Sequence, residues 1–542
     1  MSAPADLAGA RDGSAVATRR VLVTDSIAPD GVAYLRQHAT VDVRTALPPA
    51  ELQAAIGDYD ALVVRSETKV TREVIEAGGL LRVIGRAGVG VDNIDVDAAT
   101  GRGVVVVNAP AGNTIAVAEH TLGLLLALAR SIPQANAALR RGEWPRSRYM
   151  GSEVRNKVLG VVGLGRIGRE VARRAQAFEM RVVAFDPYVG PDLARRLGVE
   201  MLDLPAVLRT ADFVSIHTPS TAQTQGLLGA AELALLKPTA WIINCARGGI
   251  VDEKALQEAL ERRQLAGAAL DVFAQEPPGD NPLLQLDNVI ATPHLAASTR
   301  EAQVNVALEA AEQVIAVLDG RPAAYAVNAP IMLPEALAVL EPYLGLCETL
   351  GLIATQLADG QLDSVEVTYS GEIAEHDTGA LQATVIRGLL APISEEPVNV
   401  VNAPVIARRR GLRVAERKTT APGNYTNLVT VAIRTDRGER TVAGTVMNGE
   451  PHVVHVDGYW VDLIPRGGFI LLSRHIDRPG IVGKVGTLLG EADVNISFMQ
   501  VGRQRPRGEA LMALMVDEPI PTEVLDRIRA VTDIEQIRVV RL

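Results

Sequence analysis

Aromatic side chains are scarce in this 542-residue sequence: Phe, Trp and Tyr together make up 3% of it. Its cores must therefore be built from Val, Leu, Ile and Ala, and the 48% hydrophobic fraction supplies them. Cysteine is nearly missing. Cys245 and Cys347 cannot make a disulfide framework or a multi-cysteine metal site, so no metal is expected and a reducing cytoplasm is the expected location. A basic excess is missing too, and the formal net charge of −10 argues against nonspecific binding to nucleic acid or to an anionic membrane. The most apolar helix-like run, Thr121 to Ala129, is too short to span a bilayer. Residues 1–18 lack the apolar segment of a signal peptide and read as a disordered tail. No solenoid-type repeat occurs. What is left is a soluble globular chain with room for roughly three or four domains.

The most informative stretch runs from Val158 to Gly168, where a β-type apolar run enters Gly163-Leu164-Gly165-Arg166-Ile167-Gly168 and a helical segment follows. Gly163 and Gly165 permit a tight turn and close backbone approach, Gly168 lets helix and strand pack, and the helix N-terminus favours a negative charge. This order suits a dinucleotide pyrophosphate. The next strand ends at Asp186, where a ribose hydroxyl needs an acceptor. The motif starts late, so something folded precedes it.

From Val21 to Asn108, apolar runs (Val21–Asp25, Ala61–Arg65, Arg82–Arg86, Val104–Asn108) alternate with helical patterns, which implies a parallel sheet covered on both faces. A helix over Ala116–Arg130 leads to the fingerprint. Strands over Arg181–Asp186, Phe213–Thr218, Trp241–Cys245, Gly267–Val272 and Val289–Thr292 complete a doubly wound unit over 118–295. A helix near Glu301–Leu318 stops at Asp319-Gly320-Arg321-Pro322. The simplest architecture is an α/β one. A Rossmann-type dinucleotide domain is inserted into a flavodoxin-like domain made of 19–117 and 296–332, with a cleft between them. Residues 333–466 mix helix (Glu335–Leu357) and strand (Ser364–Tyr369, Leu428–Arg434) as a further α+β unit. Arg466-Gly467-Gly468 looks like a linker, and 469–542 reads as the βαββαβ order of a ferredoxin-like fold.

Arg247, Glu276 and His294 each stand just beyond an apolar run downstream of the fingerprint. Ligands of open α/β sheets sit beyond the carboxyl ends of the strands, so the three are expected to converge. Arg offers a permanently charged fork for a carboxylate, His can accept a hydroxyl proton, and Glu orients the imidazole and favours its charged form.

These residues carry a resemblance. Asn244–Asp252, Asp271-Val272-Phe273 with Glu276-Pro277, and Pro293-His294-Leu295 resemble the signatures of the D-isomer-specific 2-hydroxyacid dehydrogenases. Val64-Arg65-Ser66, Gly85–Asn93 and Asn108–Asn113 match the substrate-domain loops of that family. The likeness covers nearly all of 20–330 and is closer still to the phosphoglycerate-oxidising members. Ala296 departs from it, since the family usually has glycine there.

The resemblance implies that Arg247 binds the substrate carboxylate and that His294 exchanges the proton with support from Glu276. It places NAD on Arg166 and Ile167, on Asp186, and on Thr218, Cys245, Ala246, Asp271, His294, Leu295, Ala296 and Ala297. The Asp186 carboxylate would repel the extra phosphate of NADP, and Pro187-Tyr188 supplies no compensating Arg. Arg65, Ser66, Arg86 and Asn113 are expected at the substrate, with Arg65 and Arg86 on a phosphate. The implied reaction is oxidation of 3-phospho-D-glycerate toward serine, with side reduction of 2-oxoglutarate a further option. A glyoxylate or hydroxypyruvate reductase and an NAD-sensing corepressor are the alternatives.

Residues 469–542 resemble an ACT domain through His475–Ile481, Gly483–Gly490 and Asp493–Ile496. That implies L-serine as effector, held by Asp477, Asn495 and His475 between paired domains of two subunits. Residues 333–466 look like the intervening, allosteric substrate-binding type of domain of long-form enzymes, and a homotetramer is the family expectation. The basic run Arg408-Arg409-Arg410, Arg413 and Arg417-Lys418 is either a solvated face or an anion site.

Overall fold

The apolar runs at the front of the chain pair into a parallel sheet in the order Thr40–Val43, Arg20–Val23, Ala61–Val64, Val83–Arg86, Val105–Val107. A computed structural model describes residues 19–330, 334–421 and 423–542; the tail expected over 1–18 lies outside the described residues. Every residue of Ala61–Val64 is buried, as a parallel sheet covered on both faces requires. One cover comes from far along the chain. Helix Arg300–Leu318 packs Ala311, Val314, Ile315 and Leu318 against Val21, Val63 and Val83. Just beyond it, the Val327 amide donates to the Val106 carbonyl at 2.7 Å. The chain thus leaves this sheet and returns to finish its core.

Between departure and return lies a second sheet, all parallel, in the order Val289–Ala291, Gly267–Leu270, Trp241–Asn244, Phe213–Ile216, Val158–Val162, Arg181–Phe185, Glu200–Met201. The chain starts in mid-sheet, builds outward one way, then crosses back and builds the other way. The order reverses between Val158–Val162 and Phe213–Ile216, the place where such sheets take ligands. This is the doubly wound arrangement expected from the fingerprint. Helix Thr114–Arg130 joins the two sheets; ten of its residues are buried.

Beyond residue 334 a six-stranded sheet runs Arg413–Thr419, Leu362–Gly371, Asn427–Thr435, Gly438–Met447, Glu450–Val456, Tyr459–Leu463, with only the first pair parallel. Helix Pro334–Leu357 is long and apolar enough to cross a membrane by length and composition, unlike the shorter run the sequence reading singled out. Its Leu340, Leu346, Cys347, Leu350 and Ala354 are instead fully enclosed against this sheet.

The last sheet, in the order Ile496–Arg503, Glu509–Val516, Phe469–Ile476, Ile534–Arg541, is antiparallel throughout. One face carries helices Ile481–Gly490 and Thr522–Arg529. The other sends Ile470, Leu472, Leu511 and Ala513 into the core of the preceding unit. Arg466-Gly467-Gly468 therefore connects two sheets that share a core and is not a free tether. Four cations of the basic run have carboxylate partners. Arg409 pairs with Glu396, Arg413 with Asp363, Arg417 with Glu366 at 3.2 Å and Lys418 with Glu416 at 3.3 Å. Arg409 ends a helix, and Arg413, Arg417 and Lys418 lie on the exposed edge strand after it, so these four cations are paired at the surface.

Candidate active site

At the phosphate-type turn the three glycines do different jobs. Gly163 has φ +95°, and a Cβ there would lie 2.8 Å from the His217 carbonyl carbon; a Cβ on Gly168 would run into the Gly163 carbonyl. Gly165 has nothing within 4 Å of that position, so its backbone faces open space. Helix Arg166–Ala177 starts there with no side chain capping it, which leaves its first amides free for an anion. Asp186 closes the turn, its carboxylate accepting from the Leu164 amide at 2.8 Å and the Tyr188 amide at 2.9 Å. Arg166 lies over the Tyr325 ring at 4.9 Å, reaching into the returning segment. Across the sheet reversal, the buried Thr218 hydroxyl has no partner. His217 beside it is pushed down to about 3 by burial and stays neutral, its Nε2 2.7 Å from the Ser215 hydroxyl. Open glycine backbone, a free helix N-terminus, an unpaired hydroxyl and a strand-end carboxylate together fit a dinucleotide.

Arg247 sits on a turn templated by Asn244, which sequence reading passed over. The nearly buried Asn244 amide donates to the Arg247 carbonyl at 2.9 Å and its oxygen accepts from the Ala246 amide at 3.0 Å. Gly248 presses so closely on the Phe273 carbonyl that no side chain fits there. On the two adjacent strands' loops, Glu276 bridges the site: Oε1 accepts from the Phe273 amide at 3.1 Å, and Oε2 lies 2.8 Å from His294 Nδ1. His294 holds φ +53°, a left-handed conformation, and its side chain is 48% exposed to the cleft.

The His294 loop hangs on Asp271. This carboxylate is fully buried and accepts from the Thr292 hydroxyl at 2.5 Å and from the Leu295 and Ala296 amides at 2.8 Å each. The His294 amide donates to the Asp271 carbonyl at 2.9 Å. His120, on helix Thr114–Arg130, completes the set with Nε2 3.4 Å from Asp271 and 3.2 Å from the Thr292 hydroxyl. The carboxylate expected at the cofactor is enclosed here and committed to the loop. Burial alone would raise its pKa; the hydrogen bonds from His120, Thr292, Leu295 and Ala296 prevail and hold it below the usual carboxylate range. Ala296 is buried and Leu295 exposed, so of these two only Leu295 offers its side chain to a ligand. Cys245 is buried, its thiol pushed up to about 12 by burial, with Thr121 and Asp271 as neighbours. Ala246 and Ala297 are half-buried beside these loops.

Across the cleft, strand Val83–Arg86 delivers Arg86 next to Val64-Arg65 at the carboxyl end of the first sheet. Arg86 Nε is buried without a partner, and Asn113 Oδ1, at the start of helix Thr114–Arg130, is likewise unpaired. Ser66 is exposed on the same loop as Arg65. Arg247 Nε lies 3.5 Å from Asp92 of this first unit, so one ion pair crosses between the two sheets' loops.

The three effector residues do not meet within one chain. Asp477 accepts from Arg503 at 3.0 Å, beyond one end of the last sheet, whereas Asn495 donates to Asp517 at 2.7 Å beyond the other. Strands of eight residues separate them, about 25 Å at the usual rise. His475 is 2% exposed, with Nδ1 3.3 Å from the Ser473 carbonyl.

Comparison with known proteins agrees with this layout. Residues 122–296 match the model for the D-isomer specific 2-hydroxyacid dehydrogenase NAD binding domain, 339–457 the D-3-phosphoglycerate dehydrogenase intervening domain and 469–533 the ACT domain. Among solved structures, a glyoxylate reductase from Paecilomyes thermophila (30% identity, TM-score 0.53) covers 58% of this chain and 99% of its own. A D-lactate dehydrogenase from Aquifex aeolicus, complexed with NAD and lactic acid, gives 28% identity and TM-score 0.52 over 57% and 99%. The D-3-phosphoglycerate dehydrogenase of Methanocaldococcus jannaschii is 47% identical over 96% of this chain and 100% of its own. That of a Synechocystis strain is 48% identical over 96% and 95%. Matched by all three domain models and along nearly its whole length, the chain belongs to the D-3-phosphoglycerate dehydrogenase family of NAD-binding 2-hydroxyacid dehydrogenases.

Proposed function

We propose that the chain oxidises 3-phospho-D-glycerate at C2 to 3-phosphooxypyruvate with NAD, the first step of the phosphorylated route to L-serine. The observation that carries this reading is the His294–Glu276 pair on strand-end loops neighbouring Arg247, opposite a second cluster of arginines. NAD, when bound, supplies the acceptor for the hydride that leaves C2. Arg247 holds the substrate carboxylate in its planar fork. His294 takes the C2 hydroxyl proton at Nε2, the nitrogen left free because Nδ1 is engaged by Glu276. Glu276, anchored on the Phe273 amide, fixes the ring plane and stabilises the imidazolium that forms. Glu276, His294 and Arg247 are thus the catalytic set, with the turn from Gly163 to Gly168, Asp186 and Thr218 holding the cofactor.

Arg65 and Arg86 take the phosphate end, with Ser66 and Asn113 beside them. Arg86→Ala removes a half-buried guanidinium whose Nε awaits a partner, so KM for 3-phosphoglycerate should rise about 10- to 100-fold. Steady-state kinetics check this, and an unchanged KM would remove Arg86 from the substrate site.

L-Serine is the proposed effector, bound where Asp477 of one copy meets Asn495 of another, which a homotetramer allows. Exposed Ile132, Leu139, Trp144 and Met150 on the arm after helix Thr114–Arg130 support association of copies. Buried free thiols at Cys245 and Cys347 support a reducing cytoplasm. The deciding experiment is NAD reduction by the full chain with 3-phosphoglycerate at alkaline pH, product trapped, with and without L-serine. Absence of turnover sinks the activity; turnover indifferent to serine sinks the effector.

A further inference from the structure

Three guanidinium groups share the cleft. Burial, and then the proximity of Arg247 and Arg65, bring Arg86 down to about 10, while Asp92 and Asp25 act in the opposite direction. The two carboxylates are placed very differently. Asp25 is 2% exposed and accepts from the Arg65 amide at 2.6 Å, the Thr68 amide at 3.1 Å and the Thr68 hydroxyl, so it is bound into its own loop. Asp92 keeps a side chain 73% exposed and sets Oδ2 3.5 Å from Arg247 Nε.

The approach is built into the backbone. A Cβ on Gly90 would overlap the Arg247 guanidinium and sit 2.7 Å from Asp92 Oδ2, so glycine is what lets the pair close. The next residue anchors the loop: Asn93 donates to the Arg65 carbonyl at 2.9 Å and the Thr68 carbonyl at 2.7 Å. Asp92 is therefore presented to Arg247 by a held loop, with Oδ2 3.5 Å from Nε and beyond hydrogen-bond distance of it, while Nη1 donates to the Ala246 carbonyl at 2.7 Å.

We propose that Asp92 is an internal stand-in for the substrate carboxylate: it occupies Arg247 until a carboxylate that binds the fork with both oxygens displaces it. This rests on the assignment of Arg247 to the substrate carboxylate made above. Substrate entry is then an exchange of one carboxylate for another, and the arginine cluster is never left without an anion. Small anions that cannot also reach Arg65 and Arg86 gain little from the exchange and stay out.

The test compares Asp92→Asn with Asp92→Glu in the full-length enzyme. With Asn, KM for 3-phosphoglycerate should fall about three- to fivefold and oxalate and sulfate should become stronger competitive inhibitors, whereas Glu should restore wild-type values. The inference is overturned if the Asn variant leaves KM unchanged or raises it, or binds oxalate no more tightly by calorimetry. Oxalate binding needs no turnover, so failure of the wild type to oxidise 3-phosphoglycerate would strike the proposed activity and leave the Asp92 result readable.

Discussion

His294→Asn should lower kcat by about 100- to 10,000-fold, the range that loss of a positioned general base costs, with NAD affinity near that of the parent enzyme. Asn is the informative replacement because position 294 sits at φ +53°, which Asn tolerates far better than β-branched residues do. The side chain is half exposed and bonded only to Glu276, so the fold should lose little, within about 0.5 kcal/mol. Single-turnover kinetics separate the two effects: the rate of NADH formation should collapse while the fluorescence titration with cofactor overlays the wild type. A kcat within tenfold of wild type would mean that another group takes the proton.

The parts of this molecule legible in the sequence are those where local pattern and global fold agree. Ala61–Val64 and Phe213–Ile216 read as buried strands because every residue is apolar or small and all are enclosed. The glycine fingerprint read correctly because two of its glycines answer to sterics that only glycine meets. Thr40–Val43 escaped notice as an exposed edge strand of mixed polarity. Arg413–Thr419 escaped because its charged residues look like a surface run, and only the ladder with Leu362–Gly371 makes it a strand. In the site, Arg247, Glu276 and His294 were visible as odd polar residues at strand ends. Asn244, Asp92 and His120 were not, since what they do depends on contacts between distant segments.

Asp271→Ala should be the most damaging single change outside the reacting groups. It strips the acceptor from the Thr292 hydroxyl and the Leu295 and Ala296 amides, and leaves His120 facing an apolar gap. Breaking a buried, fully satisfied carboxylate of this kind costs about 3–5 kcal/mol, which lowers Tm by roughly 10 °C for a domain of this size. Asp271→Asn is milder in volume yet still wrong in chemistry. One amide oxygen can serve one side of the loop, but the NH2 then confronts a backbone amide that also needs an acceptor. Both variants should lose activity beyond their loss of stability, because residues 292–296 carry His294. The pH dependence gives the sign. A carboxylate held below its ordinary pKa stabilises the fold fully above the unfolded value, about 3.9, and that contribution fades as pH falls through the lower native value. Melting curves of wild type and Asp271→Asn should therefore lie far apart at pH 7 and draw together below about pH 4. A gap that stays constant down to pH 3 would show that the loop is held by packing, and that the enclosed carboxylate is not what keeps His294 in place.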